Sequence, residues 1–301
     1  MDKKLYVIMG ATGHIGHVIS QELLRRKLRV RVIGRNPKKL ELLKSLGAET
    51  VTLDNLEDAN LLKEAFHRAD AIFTMLPPDL QVEDYNRYQD AVGEATKIAI
   101  KKSKATHVIN LSSIGAELTE GTGPIGGLHR QEIRLNDLTG VNVVHIRAGY
   151  FMENFFNNID SIKQTGAFYS PIRADLPLQL VATGDIGKKA ADLLDRLDFR
   201  GRTYFDFSGP RDVTMLEVTP LLANAIGKPD MKYIQVSYDD ADKNLLSVGM
   251  KPSIVSLFHE MNMGFNDEKI KWTQRMTLDH RGKTTIEDFA KEFARAYQAK
   301  K

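Results

Sequence analysis

The chain has 301 residues, 42% of them hydrophobic and 27% charged, enough apolar material for one large domain or two modest ones. Its formal net charge of +3 comes without a dense Lys/Arg tract interleaved with aromatics, so nothing supports a nucleic-acid surface. The absence of cysteine excludes disulfides, zinc–thiolate sites, iron–sulfur clusters and thiol catalysis, and fits a reducing cytoplasm.

The N-terminus, Met1-Asp2-Lys3-Lys4, enters an apolar run too short for a signal-peptide core or a membrane span, which predicts a cytoplasmic protein without membrane contact. That run, Leu5 to Met9, reads as a strand. It feeds Gly10-Ala11-Thr12-Gly13-His14-Ile15-Gly16, three glycines spaced by three at the mouth of an amphipathic segment. A strand–turn–helix of this kind is a phosphate cradle. Gly10 permits the tight turn, Gly13 lets backbone approach a pyrophosphate, and Gly16 lets the helix close on the strand. Thr12, His14 and Ile15 stand at the helix N-terminus, whose exposed amides bind the anion. The spacing departs from the commoner Gly-x-Gly-x-x-Gly fingerprint.

The second strand, Arg29 to Ile33, runs into Gly34-Arg35-Asn36-Pro37-Lys38-Lys39, where the expected acidic residue is missing and Arg35 stands nineteen residues beyond Gly16. A carboxylate at this strand tip suits a free ribose 2′-hydroxyl, whereas an arginine suits a 2′-phosphate. NADP(H) is therefore expected in preference to NAD(H), held by Arg35 and Lys39; the plainer alternative is a solvated basic cluster opening a surface helix. Asp54 and Asn55, ending a third strand from Glu49 to Leu53, are placed to meet the adenine edge. Met75, Leu76 and Pro77, ending a fourth strand from Ala71, should lie along the path from adenosine to nicotinamide. After a fifth strand, His107 to Leu111, Ser112 and Ser113 occupy the carboxyl end where ligands collect in open α/β sheets. Ser112 is read as a dinucleotide contact and Ser113 as a substrate contact, against the alternative of turn serines. With a sixth strand from Asn142 to Arg147, the alternation predicts an α/β, doubly wound (Rossmann) parallel sheet of order 3-2-1-4-5-6.

Beyond Ala148 the pattern degrades into Tyr150-Phe151-Met152-Glu153-Asn154-Phe155-Phe156. These aromatics either wall a planar acceptor or build a second core, and Tyr150, Phe151 and Asn154 are the substrate contacts expected there. Thr183 to Ile186 opens a helix with Asp185 as its cap, and Arg202 to Phe207 reads as a returning strand. One more strand, Lys232 to Val236, precedes a last helix from Ile286 with Thr284 and Thr285 as caps. The expected division is a Rossmann domain over 1–149, joined again by roughly 178–208, with 150–177 and 209–301 forming a smaller interleaved α+β substrate domain. No metal site is expected: the histidines are scattered, and His14 and His17 share a helical face without a third ligand.

The glycine turn, Gly34-Arg35-Asn36-Pro37, Ser112-Ser113-Ile114-Gly115-Ala116 and Arg147-Ala148-Gly149-Tyr150-Phe151-Met152-Glu153-Asn154 together resemble the NmrA-like family, which are atypical short-chain dehydrogenases/reductases. The likeness covers essentially the whole chain, with one departure: Ala148 sits where a proline is expected. The resemblance implies a Rossmann domain holding NAD(P), a smaller C-terminal domain over the nicotinamide, and a substrate cleft between them. It also implies one of two functions. Some members are NADPH-dependent reductases of quinones or conjugated carbonyls; others bind the dinucleotide as redox sensors and regulate a protein partner. Short-chain dehydrogenases generally protonate a carbonyl with the tyrosine of a Tyr-x-x-x-Lys motif, which this chain lacks in the helix expected to carry it, after Ser112-Ser113. The helix in that slot carries His129-Arg130-Gln131-Glu132, so His129 is the candidate acid, with Arg130 as an electrostatic alternative. The expected activity is reduction of a small-molecule electron acceptor, and the alternative is a non-catalytic sensor acting through a partner. The strand-tip argument makes one sharp prediction. Arg35→Ala should weaken NADP(H) far more than NAD(H) in calorimetric titration, and equal weakening would refute it.

Overall fold

The computed structural model describes residues 3–274 and 278–300; Met1 and Asp2 of the N-terminal lead-in lie outside them. The first half alternates strands and helices: β1 (Leu5–Ile8), α1 (His14–Arg25), β2 (Arg29–Gly34), α2 (Pro37–Ser45), β3 (Glu49–Thr52), α3 (Ala59–Ala65), β4 (Ala71–Thr74), α4 (Tyr85–Lys102), β5 (His107–Ser113), α5 (Ile125–Asn136) and β6 (Asn142–Ala148). There follow β7 (Tyr150–Phe151), a 3-10 turn over Met152–Asn158, α6 (Ile159–Thr165), β8 (Ala167–Ser170), β9 (Leu180–Val181), α7 (Thr183–Arg196) and β10 (Arg202–Phe207). The chain ends with α8 (Met215–Ala225), β11 (Lys232–Gln235), α9 (Tyr238–Ser247), α10 (Pro252–Asn266) and α11 (Ile286–Ala299).

Among the described residues the main sheet has seven strands in the order β10-β6-β5-β4-β1-β2-β3, all parallel. This is the doubly wound order read from the sequence, extended by β10 beside β6. Side chains alternate across each strand, so the sheet feeds two cores. Tyr6, Ile8, Val30, Val32 and Phe73 pack with Ile15, Ile19 and Leu23 of α1 and Ile186 and Ala190 of α7. Leu5, Val7, Ile72 and Val108 face the other way, against Leu62 of α3 and Val92, Ala95 and Ala99 of α4. A third core, built from Phe155, Phe168, Phe289 and Phe293 with α8 residues, belongs to the C-terminal elements. None of the described helices is long and apolar enough to cross a membrane.

Two local expectations change. β5 runs two residues further than its hydrophobic stretch, so Ser112 and Ser113 are the last strand residues and not a turn. Asp185 does not cap α7: Ala182 holds the N-cap position, and Glu153 reaches over from the 3-10 turn to accept from the Thr183 N–H at 2.8 Å and from its hydroxyl. Asp185 instead lies inside the first turn and accepts from the Thr284 N–H at 2.7 Å, tying down the segment that leads to α11, where Thr285 is the cap. The start of α7 is thus completed by a residue thirty positions away, which a local pattern cannot reveal.

His145, buried on β6, accepts at Nδ1 from the Asn110 amide and donates from Nε2 to Asn136 Oδ1, each at 3.1 Å, which fixes a neutral tautomer. Burial pulls its pKa down to about 4. The unfolded chain therefore binds this proton first as pH falls, so stability is whole above about pH 6.5 and is lost progressively toward pH 4, by about 3 kcal/mol for this one group. His145→Gln can keep both hydrogen bonds without titrating. Its Tm should fall less than that of the parent between pH 6.5 and 4; identical acid limbs would show that His145 does not carry this loss.

Candidate functional site

The glycine turn is shaped by what has no side chain. Gly10 takes φ +66°, a left-handed conformation that favours glycine, and its carbonyl accepts from the Gly13 N–H at 2.9 Å. A Cβ on Gly16 would fall 2.4 Å from the Gly10 oxygen, so the helix sits on the turn as closely as backbone allows. Gly13 is the N-cap of α1, with no side-chain cap and no acidic residue in the first turn. The first N–H groups of α1 therefore face outward beside a positive helix end, the arrangement that suits a phosphate. Ile15 points its side chain into the core and has only its backbone to offer, whereas His14 is exposed.

Thr12, Gly13, His14 and Lys39 border a cavity of about 550 Å³ whose far side is the start of α7, with Glu153 and Lys188. Arg35 stands at the tip of β2 with its side chain 53% exposed and only a loose 3.9 Å approach to Asp79. Asn36 caps α2 by accepting from the Lys38 and Lys39 N–H groups, so it is local structure that aims Lys39. Asp54 and Asn55 lie exposed past β3, and Asn55 closes its own turn by accepting from the Glu57 N–H at 3.0 Å.

A second cavity, of about 240 Å³, opens at the carboxyl ends of β4, β5 and β6. Met75, Leu76, Ser112, Ser113, Tyr150, Phe151 and Asn154 all line it. Met75 also packs on the cradle, since a Cβ on Gly10 would meet its Sδ at 2.7 Å, so cavity and cradle adjoin. Pro77 is not in this wall: its neighbour Pro78 is, while the Pro77 carbonyl accepts from the Tyr88 hydroxyl at 3.0 Å. Phe155 and Phe156 turn inward, Phe156 stacking on Phe289 and Phe293 at 5.4 and 6.1 Å. Tyr150 contacts Phe265 edge-on at 6.0 Å, and Asn154 stands with it in the cavity wall. Burial pushes the Tyr150 phenol up, and the nearby Asn154 only partly opposes that.

The structure does not bring His129 to this cavity. Its Nδ1 lies 2.8 Å from the Ala116 carbonyl, which can only accept, so Nδ1 carries the proton and spends it there. Ile125 and Leu128, which precede it on α5, supply that side of the wall. Arg130 is likewise engaged, with Asp90 at 2.7 Å and Asn86 at 3.1 Å. The sequence reading also missed Met261 and Phe265, four apart on α10, which complete the wall. Their spacing marks an apolar helix face, but not which surface that face covers.

Beneath the cavity lies a buried ion pair. Arg147 on β6 is 5% exposed and Glu132 on α5 is 6% exposed. The guanidinium meets both carboxylate oxygens, at 2.9 and 2.7 Å, reaches Glu117 at 3.2 Å, and lies 3.8 Å above the Tyr204 ring. Desolvation works against the Arg147 charge, but Glu132 and Glu117 outweigh it and raise its pKa. Burial pushes the Glu117 carboxyl up. Ser112 donates to Glu132 Oε1 at 2.6 Å, so it offers the cavity an oxygen lone pair and no proton. Among the described residues no group of three or more His, Cys, Asp or Glu could hold a metal ion.

Sheet order, crossover helices and glycine cradle define a Rossmann-like α/β protein. The chain belongs to the NmrA-like family, whose sequence profile matches residues 2–290. Over 260 residues it is 25% identical to an NAD(P)H azoreductase of Xenophilus azovorans, covering 85% of this chain and 86% of that one. Its fold matches the NADPH-dependent quinone oxidoreductase QOR2 of Escherichia coli, crystallised with NADPH, at a TM-score of 0.77 and 20% identity over 95% of this chain and 99% of the other. It matches the negative transcriptional regulator NmrA, crystallised with NADP, at 0.77 and 17% identity over 99% and 98%.

Removing one partner of the buried pair leaves the other charge uncompensated, so Glu132→Ala should cost about 3–5 kcal/mol in denaturant unfolding. A loss below about 1 kcal/mol would show that the pair does not hold this part of the sheet.

Proposed function

We propose that the protein is an NADP(H)-dependent reductase that passes a hydride to a small conjugated carbonyl or quinone. The observation that carries the reading is an apolar cavity opening directly beside an uncapped phosphate cradle, with a tyrosine and an asparagine in its wall. The cradle fits a dinucleotide because it offers free helix N–H groups, no acidic side chain in the first turn and no Cβ at the point of approach. In this reading the backbone at Gly13, His14 and Ile15 takes the pyrophosphate, with Gly10, Gly16 and Thr12 shaping the turn. Arg35 and Lys39 take the 2′-phosphate, Asp54 and Asn55 lie at the adenine edge, and Met75 and Leu76 flank the path to the nicotinamide.

The bound cofactor supplies the hydride. Ser112, its own proton committed to Glu132, accepts from a ribose hydroxyl. Tyr150 keeps its proton at neutral pH and donates a hydrogen bond to the acceptor's oxygen, while Asn154 orients the phenol and Phe151 and Ser113 bound the acceptor. This assigns to Tyr150 the role first read for His129. Residues 1–149 with 178–208 then form the dinucleotide unit, and 150–177 with 209–301 the substrate unit, in a cytoplasmic protein. The NAD(P)H azoreductase and the NADPH-dependent quinone oxidoreductase support the reductase reading. The likeness to the regulator NmrA and the lack of a Tyr-x-x-x-Lys motif on α5 favour the rival, a dinucleotide sensor with a protein partner.

Titration with NADPH, NADP⁺, NADH and NAD⁺, followed by addition of a simple quinone, separates the two. The reductase binds NADPH at least tenfold more tightly than NADH and oxidises it when quinone is added. Tight binding without turnover on quinone, enone or azo acceptors replaces the reductase by the sensor. In a turning-over enzyme, Tyr150→Phe should lower kcat about 10–100-fold with little change in NADPH affinity. His129→Ala should stay within about threefold of the parent, losing about 1 kcal/mol of stability with its hydrogen bond. A larger kcat loss for His129→Ala than for Tyr150→Phe would reverse the assignment.

A further inference from the structure

We infer that the acceptor cavity selects by charge: it takes a flat, conjugated ring system that is neutral, and discriminates against anionic and cationic derivatives of the same ring. The inference names the substrate class of the proposed reductase and rests on that reading for turnover, though not for binding. Among the described residues no Asp, Glu, Lys, Arg or His lines the 240 Å³ cavity, and the polar side chains there are Ser112, Ser113, Tyr150 and Asn154. A charged group entering it would leave water without meeting a counterion, which is the costly way to bury charge.

The ionic groups on the adjoining β6 and α5 are engaged elsewhere. Arg147 is saturated by Glu132, Glu117 and the Tyr204 ring, and Glu132 in turn by Arg147 and Ser112. Arg130 and Arg134 both bind Asp90. What remains toward the acceptor is polarisable and apolar. Met75 and Met261 present thioethers and Phe151 and Phe265 present rings, a lining suited to an aromatic face. The size also restricts. About 240 Å³ is below the roughly 300–1,000 Å³ of ordinary ligand pockets, which favours one or two fused rings.

The contrast with the neighbouring cavity strengthens the point. On the phosphate side, His14, His17, Lys39 and Lys188 stand with Glu153, Asp185 and Glu292 around 550 Å³. Ionic groups are concentrated where an anionic cofactor would lie and withheld where the acceptor would lie. The two cavities therefore select for opposite properties.

The test compares 1,4-naphthoquinone with its 2-sulfonate, the same ring with and without a negative charge. Calorimetric titration of each into the protein, with and without NADP⁺, reads binding without turnover. The absence of cysteine keeps thiol addition from confusing the result. The neutral quinone should bind at least tenfold more tightly than the sulfonate. Equal affinities, a preference for the sulfonate, or no binding of the neutral ring would each overturn the inference. NADPH oxidation measured in parallel tests the reductase reading separately. Selective binding without turnover keeps the inference and removes the reductase; turnover of both quinones at equal kcat/KM does the reverse. Met261→Lys places a cation on the wall from a half-buried position and should narrow the affinity ratio at least threefold toward the sulfonate. An unchanged ratio in a variant of unchanged Tm would mean the ring binds elsewhere, and the inference would fall.

Discussion

The ion pair between Arg147 and Glu132 is the constraint on which the carboxyl edge of the sheet depends. Two opposite charges have been taken out of water there, which favours folding only when the geometry leaves almost nothing unmet. Here both carboxylate oxygens face the guanidinium, Ser112 adds a third bond, Glu117 a fourth, and Tyr204 covers the guanidinium face. These contacts join β5, β6, β10 and α5 at one point. They hold α5 at the height where Ile125 and Leu128 become cavity wall, and they fix the direction of the Ser112 proton. In a short-chain dehydrogenase the equivalent helix would present a catalytic tyrosine and lysine. This chain uses that helix to anchor the sheet, so in the proposed reductase the acid would come from another element.

The two helix starts that face the larger cavity are treated in opposite ways. The start of α1 has neither a side-chain cap nor an acidic residue, which leaves its N–H groups available. The start of α7 is closed by Glu153, whose carboxyl is pushed up by burial and whose other oxygen is buried without a partner. Orphan N–H groups are costly when hidden and useful when exposed to an anion. Closing one helix and leaving the other open directs an anion to α1. Gly187, where a Cβ would meet Val18 at 2.7 Å, lets α7 lie close enough to α1 for the two starts to share a cavity.

What the sequence disclosed and what it hid divide along the range of the forces involved. The cradle was legible because its chemistry is local: the turn conformation, the close helix approach and the free amides all follow from three glycines within seven residues. The strands were legible because a two-faced parallel sheet demands short continuous apolar runs. The error over Asp185 has a different origin, since an acidic residue near a helix start satisfies the local rule for a cap, yet Glu153 had already met the need from another element. His129 occupied the right slot in the chain, but its protonated nitrogen is consumed by the Ala116 carbonyl, a contact that depends on how the loop after β5 folds back. Met261 and Phe265 could not be placed at all, because they reach the cavity only when α10 docks across more than one hundred residues of intervening chain.

The position of Tyr150 bears on the direction of the chemistry. A lysine beside a catalytic phenol lowers its pKa, so that the same group can give a proton to a carbonyl or take one from an alcohol. Among the described residues no cation acts on Tyr150: burial dominates and pushes it up, and Asn154 moderates the effect without reversing it. A phenol held this way keeps its proton at neutral pH. It can donate to an oxygen that is gaining negative charge, but it is a poor base for drawing a proton from a neutral alcohol. Such a site suits acceptors whose reduced oxygen is stable enough to collect its last proton from water. A quinol, with charge spread over an aromatic ring, meets that condition; an isolated alkoxide does not. In the proposed reductase, the uncharged walls and the raised phenol would fit one consistent chemistry, a reduction of conjugated neutral rings that runs in one direction.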